Sequence, residues 1–105
     1  MKKIINNLIY DSETAVPIAS QDNGLFVTDF GFLSEDLYQT KKGNWFLHQI
    51  GGPLSPVATG SLGSGSGLRS GEAIQAISPI EAGEWLKKAN EIDLYQAHFG
   101  RLEEA

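Results

Sequence analysis

A chain of 105 residues can build one core and is too short for two. Hydrophobic residues make up 41% and aromatics 10%, enough apolar surface to offset the entropy of ordering, so a disordered tail is excluded. The absence of cysteine rules out disulfides, thiolate metal sites and cysteine nucleophiles, and the net charge of −5 works against general binding to phosphate backbones.

In chain order, Lys2-Lys3 precede apolar residues, but Asn6, Asn7 and Asp11 interrupt the run too early for a secretory leader. No stretch approaches the ~20 apolar residues of a membrane span. A soluble, cytoplasmic protein with no membrane partner is the expectation. Ile4-Ile5 and Leu8-Ile9-Tyr10 flank Asn6-Asn7, and asparagine tolerates the positive φ of a two-residue hairpin turn. Asp11 or Ser12 can cap one helical turn over the polar residues that follow. Pro17 predicts a short edge strand over Val16 to Ala19, and Gln21-Asp22-Asn23-Gly24 reads as a turn. Leu25 to Leu33 is apolar and aromatic.

The clearest hairpin places Leu37 to Thr40 against Asn44 to Gln49 around Lys41-Lys42-Gly43, with glycine available for a left-handed position. A Gly/Ser-rich loop at about 60–71 follows, with a composition that predicts a mobile connector. Ile74 and Ile77 suit a short strand. Ser78-Pro79-Ile80-Glu81 is a capping box with proline at the first helical position. Ala82, Trp85, Leu86 and Ala89 then form one apolar helical stripe, with Trp85 in the core. Asp93 with Gln96 suggests a second cap, and Leu94 to Phe99 a second short helix stopped by Gly100. The fold class is therefore α+β: a single domain over 1–105, a small antiparallel sheet of hairpins packed against one or two C-terminal helices.

Few constellations carry chemistry. His48 and His98 are the only histidines, too few for a zinc site without carboxylates at ligand spacing. His48 reads as an ordinary strand residue, and His98 as a favourable group at a helix C-terminus. The loop serines lie in Gly-Ser repeats rather than a nucleophile elbow, and no Walker lysine follows them. Arg69 alone could serve an anion bound by the loop amides. Glu35-Asp36 point to opposite faces of a strand and read as exposed charge. No catalytic residue, metal site or cofactor is read. Phe26, Phe30, Phe32, Tyr38, Trp45 and Phe46 are expected mostly in the core, though aromatics also favour interfaces.

The segments Lys3-Ile4-Ile5-Asn6, Tyr10-Asp11-Ser12-Glu13-Thr14-Ala15, Leu37 to His48, Gly51-Gly52 and Glu81-Ala82-Gly83-Glu84-Trp85-Leu86 together resemble a group of small uncharacterised bacterial proteins. Those proteins are often encoded on phages, plasmids and integrative elements. The resemblance implies a mobile-element setting, where small acidic proteins sometimes inhibit host defence complexes by occupying basic grooves. The reading that follows is a non-catalytic protein-interaction module, a mobile-element accessory factor or inhibitor. Its acidic and aromatic surface would draw on Glu35, Asp36, Tyr38, Trp45 and His48. The alternative is a small nucleic-acid-associated regulator whose Lys41-Lys42 hairpin touches phosphate.

Overall fold

The computed structural model describes residues 1–60 and 68–105. Strands β1 (Lys2–Ile5) and β2 (Leu8–Asp11) form a hairpin closed by Asn6 and Asn7, both with positive φ (51° and 64°). That is the backbone a two-residue turn needs to match the twist of its strands. Asp11 then closes one turn: its Oδ1 accepts from the Glu13 amide, and its carbonyl from the Ala15 amide.

A four-stranded antiparallel sheet follows, in the order β3-β4-β5-β8. Its strands are β3 (Val16–Asp22), β4 (Leu33–Gln39), β5 (Trp45–Gly51) and β8 (Gly71–Ile77). Between β5 and β8 lies a short ladder of β6 (Thr59–Gly60) with β7 (Leu68–Arg69). The expected Gly/Ser connector thus begins and ends in paired strand, and its middle lies outside the described residues. β3 is an edge strand as Pro17 requires, with a bulge between Pro17 and Ala19. It runs on to Asp22, so Gln21 and Asp22 are strand rather than turn; cross-strand pairing with Glu35 and Ser34 overrides their turn preference. Lys41-Lys42-Gly43 close the β4–β5 hairpin, with Gly43 at φ +92° and Thr40 and Asn44 sharing a backbone bond of 2.8 Å.

Two helices complete the chain, α1 (Pro79–Lys88) and α2 (Ile92–Phe99). At the start of α1, Ser78 Oγ accepts from the Glu81 amide (3.1 Å), and Glu81 Oε1 accepts from the Ser78 amide (3.0 Å). Asn90, at φ 58°, ends the helix: its amide donates to Lys87 O and that of Glu91 to Leu86 O, a Schellman motif. Asp93 is not the cap of α2. The helix already begins at Ile92, because the tight Asn90 turn leads directly into it, and Asp93 lies in its first turn. Gly83 lets the helices approach, since a Cβ there would stand 3.3 Å from the Tyr95 ring.

Strand alternation assembles the layers. Leu37, Trp45 and Leu47 face the helices and pack with Ala82, Trp85 and Leu86. Phe46 and Ile74 face the other way and pack with Tyr10 of the β1–β2 hairpin. Trp45, Phe46 and Leu47 are therefore buried in succession, because β5 is covered on both sides at this end.

Candidate interaction surface

The five residues singled out from the sequence divide between two faces of the sheet. Glu35 and Trp45 lie on the helix side. Trp45 is buried, its ring 5.1 Å from His98 and 5.4 Å from Phe99, and it presents nothing to a partner. Glu35 is not a free surface charge either. It is half-buried, and its carboxylate accepts from Gln49 Nε2 (2.7 Å), Trp85 Nε1 (3.4 Å) and Gln21 Nε2 (3.5 Å), tying α1 to the sheet.

Asp36, Tyr38 and His48 share the opposite face. Asp36 sits directly across from His48, whose Nε2 lies 2.8 Å from Glu72 Oε2. Tyr38 stacks on Phe46 at 5.1 Å between ring centroids. Burial, with the Asp36 charge adding to it, pushes the Tyr38 phenol above the ordinary tyrosine range. The β1–β2 hairpin covers this face over Phe46 and Ile74. Register aligns Asp22, Ser34, Ile50 and Glu72 in one row and Ser20, Asp36, His48 and the buried Ile74 in the next. These rows carry three carboxylates, while the His48 side chain is largely buried, only 12% exposed.

Beside these rows, the chain between β3 and β4 forms a knuckle that the sequence had suggested for the core. Phe26 is 86% exposed, Val27 76% and Phe30 65%, with Leu54 of the neighbouring loop at 64%. Polar clamps hold the backbone. Asn23 Nδ2 donates to Gly31 O (2.8 Å), and its Oδ1 accepts from Leu33 (3.2 Å). Asp22 and Asp29 each accept an amide two residues on, at Gly24 (2.7 Å) and Gly31 (2.8 Å). The Leu54 amide donates to Phe30 O at 2.7 Å, and that of Gly52 to Phe32 O at 2.9 Å. The rings stay outside because these bonds turn the segment away from the sheet before Leu33 enters β4. Asp-Asn-Gly and Asp-Phe-Gly are the turn signals that could have shown this.

A second feature is a cleft of about 380 Å³ between the tips of the two hairpins, walled by Leu8, Tyr10 and Ala15 and edged by Lys41 and Lys42. Among the described residues no group of three or more His, Asp or Glu side chains is placed to hold a metal ion, and no helix is long and apolar enough to cross a membrane. No protein family, curated protein or solved structure matches the chain.

Proposed function

We propose that this chain is a non-catalytic protein-interaction module that docks through the Phe26–Phe30 knuckle and the acidic rows beside it. The carrying observation is that Phe26, Val27, Phe30 and Leu54 stand exposed together on a backbone fixed by hydrogen bonds. Rigid exposed aromatics lose little entropy on binding and act as interface anchors. Asp22 and Asp29 within the knuckle, and Asp36 and Glu72 on the adjoining face, favour a partner whose apolar pocket is framed by lysine or arginine. A groove built to hold nucleic acid has that chemistry. The resemblance to mobile-element proteins supports a host defence complex as its setting.

The test compares bait proteins. Phe26→Ser with Phe30→Ser should lose a partner that the unaltered chain retains, and Lys41→Ala with Lys42→Ala should keep it. Binding is then measured with the purified pair. Equal affinity for the unaltered chain and the phenylalanine double variant would refute the reading. Loss with the lysine variant alone would favour the nucleic-acid-associated alternative.

A further inference from the structure

Residues from the tips of the β1–β2 and β4–β5 hairpins enclose the cleft of about 380 Å³, and its walls are fixed. Tyr10 is buried and stands edge-on to Phe46 at 5.5 Å, and Ala15 packs on the same cluster. On one side the amides of Glu13, Thr14 and Ala15 all donate to Asp11, which closes that turn. On the other, the amides of Thr40, Gly43 and Asn44 are donated within the β4–β5 hairpin turn. Leu8, 39% exposed, and Ile9, 68% exposed, complete the apolar lining.

Charge around this cleft is uneven. Lys41 and Lys42 edge it, and among the described residues neither forms an ion pair. Asp11 is the one carboxylate in the lining. One of its oxygens accepts from the Glu13 amide, and register sets it opposite Lys2 across the β1–β2 hairpin. Glu13, in the same turn, is exposed and does not line the cleft. Two ammonium groups beside an apolar hollow therefore lack the counter-charge that Lys87 finds in Glu84.

We propose that this cleft binds a small organic anion: an apolar chain or ring against Leu8, Tyr10 and Ala15, with a carboxylate or phosphate head at Lys41 and Lys42. The volume falls at the lower end of the roughly 300–1,000 Å³ usual for small-molecule sites. Walls that are already fixed spare the cost of ordering them on binding. Unpaired ammonium groups favour an anionic head, and the apolar lining favours a body that inorganic phosphate lacks. A peptide fits less well, because the six turn amides are already donated and offer its main chain no free donor. The site lies at the opposite end of β4 from the Phe26–Phe30 knuckle and does not rest on its role.

The probes are hexanoate, hexyl phosphate, hexanol and hexylammonium, each titrated into the isotope-labelled chain at low salt while amide chemical shifts are followed. Hexanoate or hexyl phosphate should shift the amides of Leu8 to Ala15 and of Thr40 to Asn44 to saturation, and the tighter of the two identifies the head group. Hexanol should bind about tenfold or more weakly, since it lacks the charge-assisted contact, and hexylammonium more weakly still. Acetate and inorganic phosphate should not saturate these shifts, because they lack the apolar body. Lys41→Gln with Lys42→Gln should bring the anions down to the affinity of hexanol and leave hexanol itself unchanged. Both lysines are exposed, so a thermal melt should show that this variant folds. Phe26→Ser with Phe30→Ser should change nothing. Three outcomes would overturn the proposal: no saturable shift at those amides from either anion; hexanol or hexylammonium binding as tightly as hexanoate and hexyl phosphate; or anion binding undiminished in the lysine variant.

Discussion

Ser78 and Glu81 each satisfy a backbone amide that the first turn of α1 leaves without an intrahelical partner. Removing the hydroxyl strands one of them, so Ser78→Ala should cost about 1 kcal/mol. Urea melts should show a lower midpoint at unchanged slope. Tyr38 gives a different residue-scale test. Burial, then the Asp36 charge, raises its pKa, so the folded chain holds this proton more tightly than the unfolded chain. Stability from this group is complete below the ordinary tyrosine pKa and is lost as pH rises through the raised one. As pH rises through and above the ordinary tyrosine value of 10.0 the urea midpoint should fall, and Tyr38→Phe should flatten that fall. Asp36→Asn should flatten it only in part, because burial is the larger cause. The capping box was legible because its residues interact within one turn. The burial of Tyr38 was not, since Phe46 reaches it through cross-strand register, whereas Asp36 shares its face by alternation within β4.

Elements show the same division between local and non-local signals. The asparagine turn, the Lys41-Lys42-Gly43 hairpin and α1 could be read because their determinants lie within a few residues. The seven-residue length of β3 escaped notice, since Gln21 and Asp22 are turn formers held in strand by β4. The Phe26–Phe30 knuckle escaped for a related reason. Hydrophobicity argued for burial, and the restraints that keep these rings outside run to Asn23, Gly52 and Leu54. Gly52 is the sensitive point of that arrangement. A Cβ there would lie 2.5 Å from Phe30 O and 2.7 Å from Asp29 O, both backbone atoms. Gly52→Ala must push the knuckle away from the loop that supports it, at a cost of about 1–3 kcal/mol. Chemical shifts should change across Leu25–Leu33 in this variant, whereas the α1–β5 core should keep its spectrum. Unchanged shifts in the knuckle would show that the two loops are not coupled.

At the scale of the whole molecule, charge placement separates the two functional readings. The chain has 8 basic and 13 acidic residues. Lys41 and Lys42 occupy a hairpin tip, while Lys87 and Lys88 end α1 on the helix side, with Lys87 Nζ 3.4 Å from Glu84 Oε1. The sheet face opposite the helices carries Asp22, Asp36 and Glu72 toward the end away from that hairpin tip, and they repel a phosphate backbone approaching from that side. A strand of nucleic acid running from Lys41 and Lys42 along that sheet face therefore meets carboxylates at its far end. The sequence showed the net charge and the lysine pair, but only the fold shows that Asp22, Asp36 and Glu72 share one face of the sheet. Binding to a fluorescent oligonucleotide, measured by anisotropy at physiological salt, should be no tighter than the ~10⁻⁴ to 10⁻⁶ M of non-specific association. Two phosphate contacts release few counterions, so the slope of log K against log salt should be no steeper than about −2. Lys41→Ala with Lys42→Ala should remove most of that residual binding. Nanomolar affinity, or a steep slope that survives the lysine substitutions, would mean that nucleic acid is held by a surface this charge distribution does not supply, and the protein-interaction reading would fall with it.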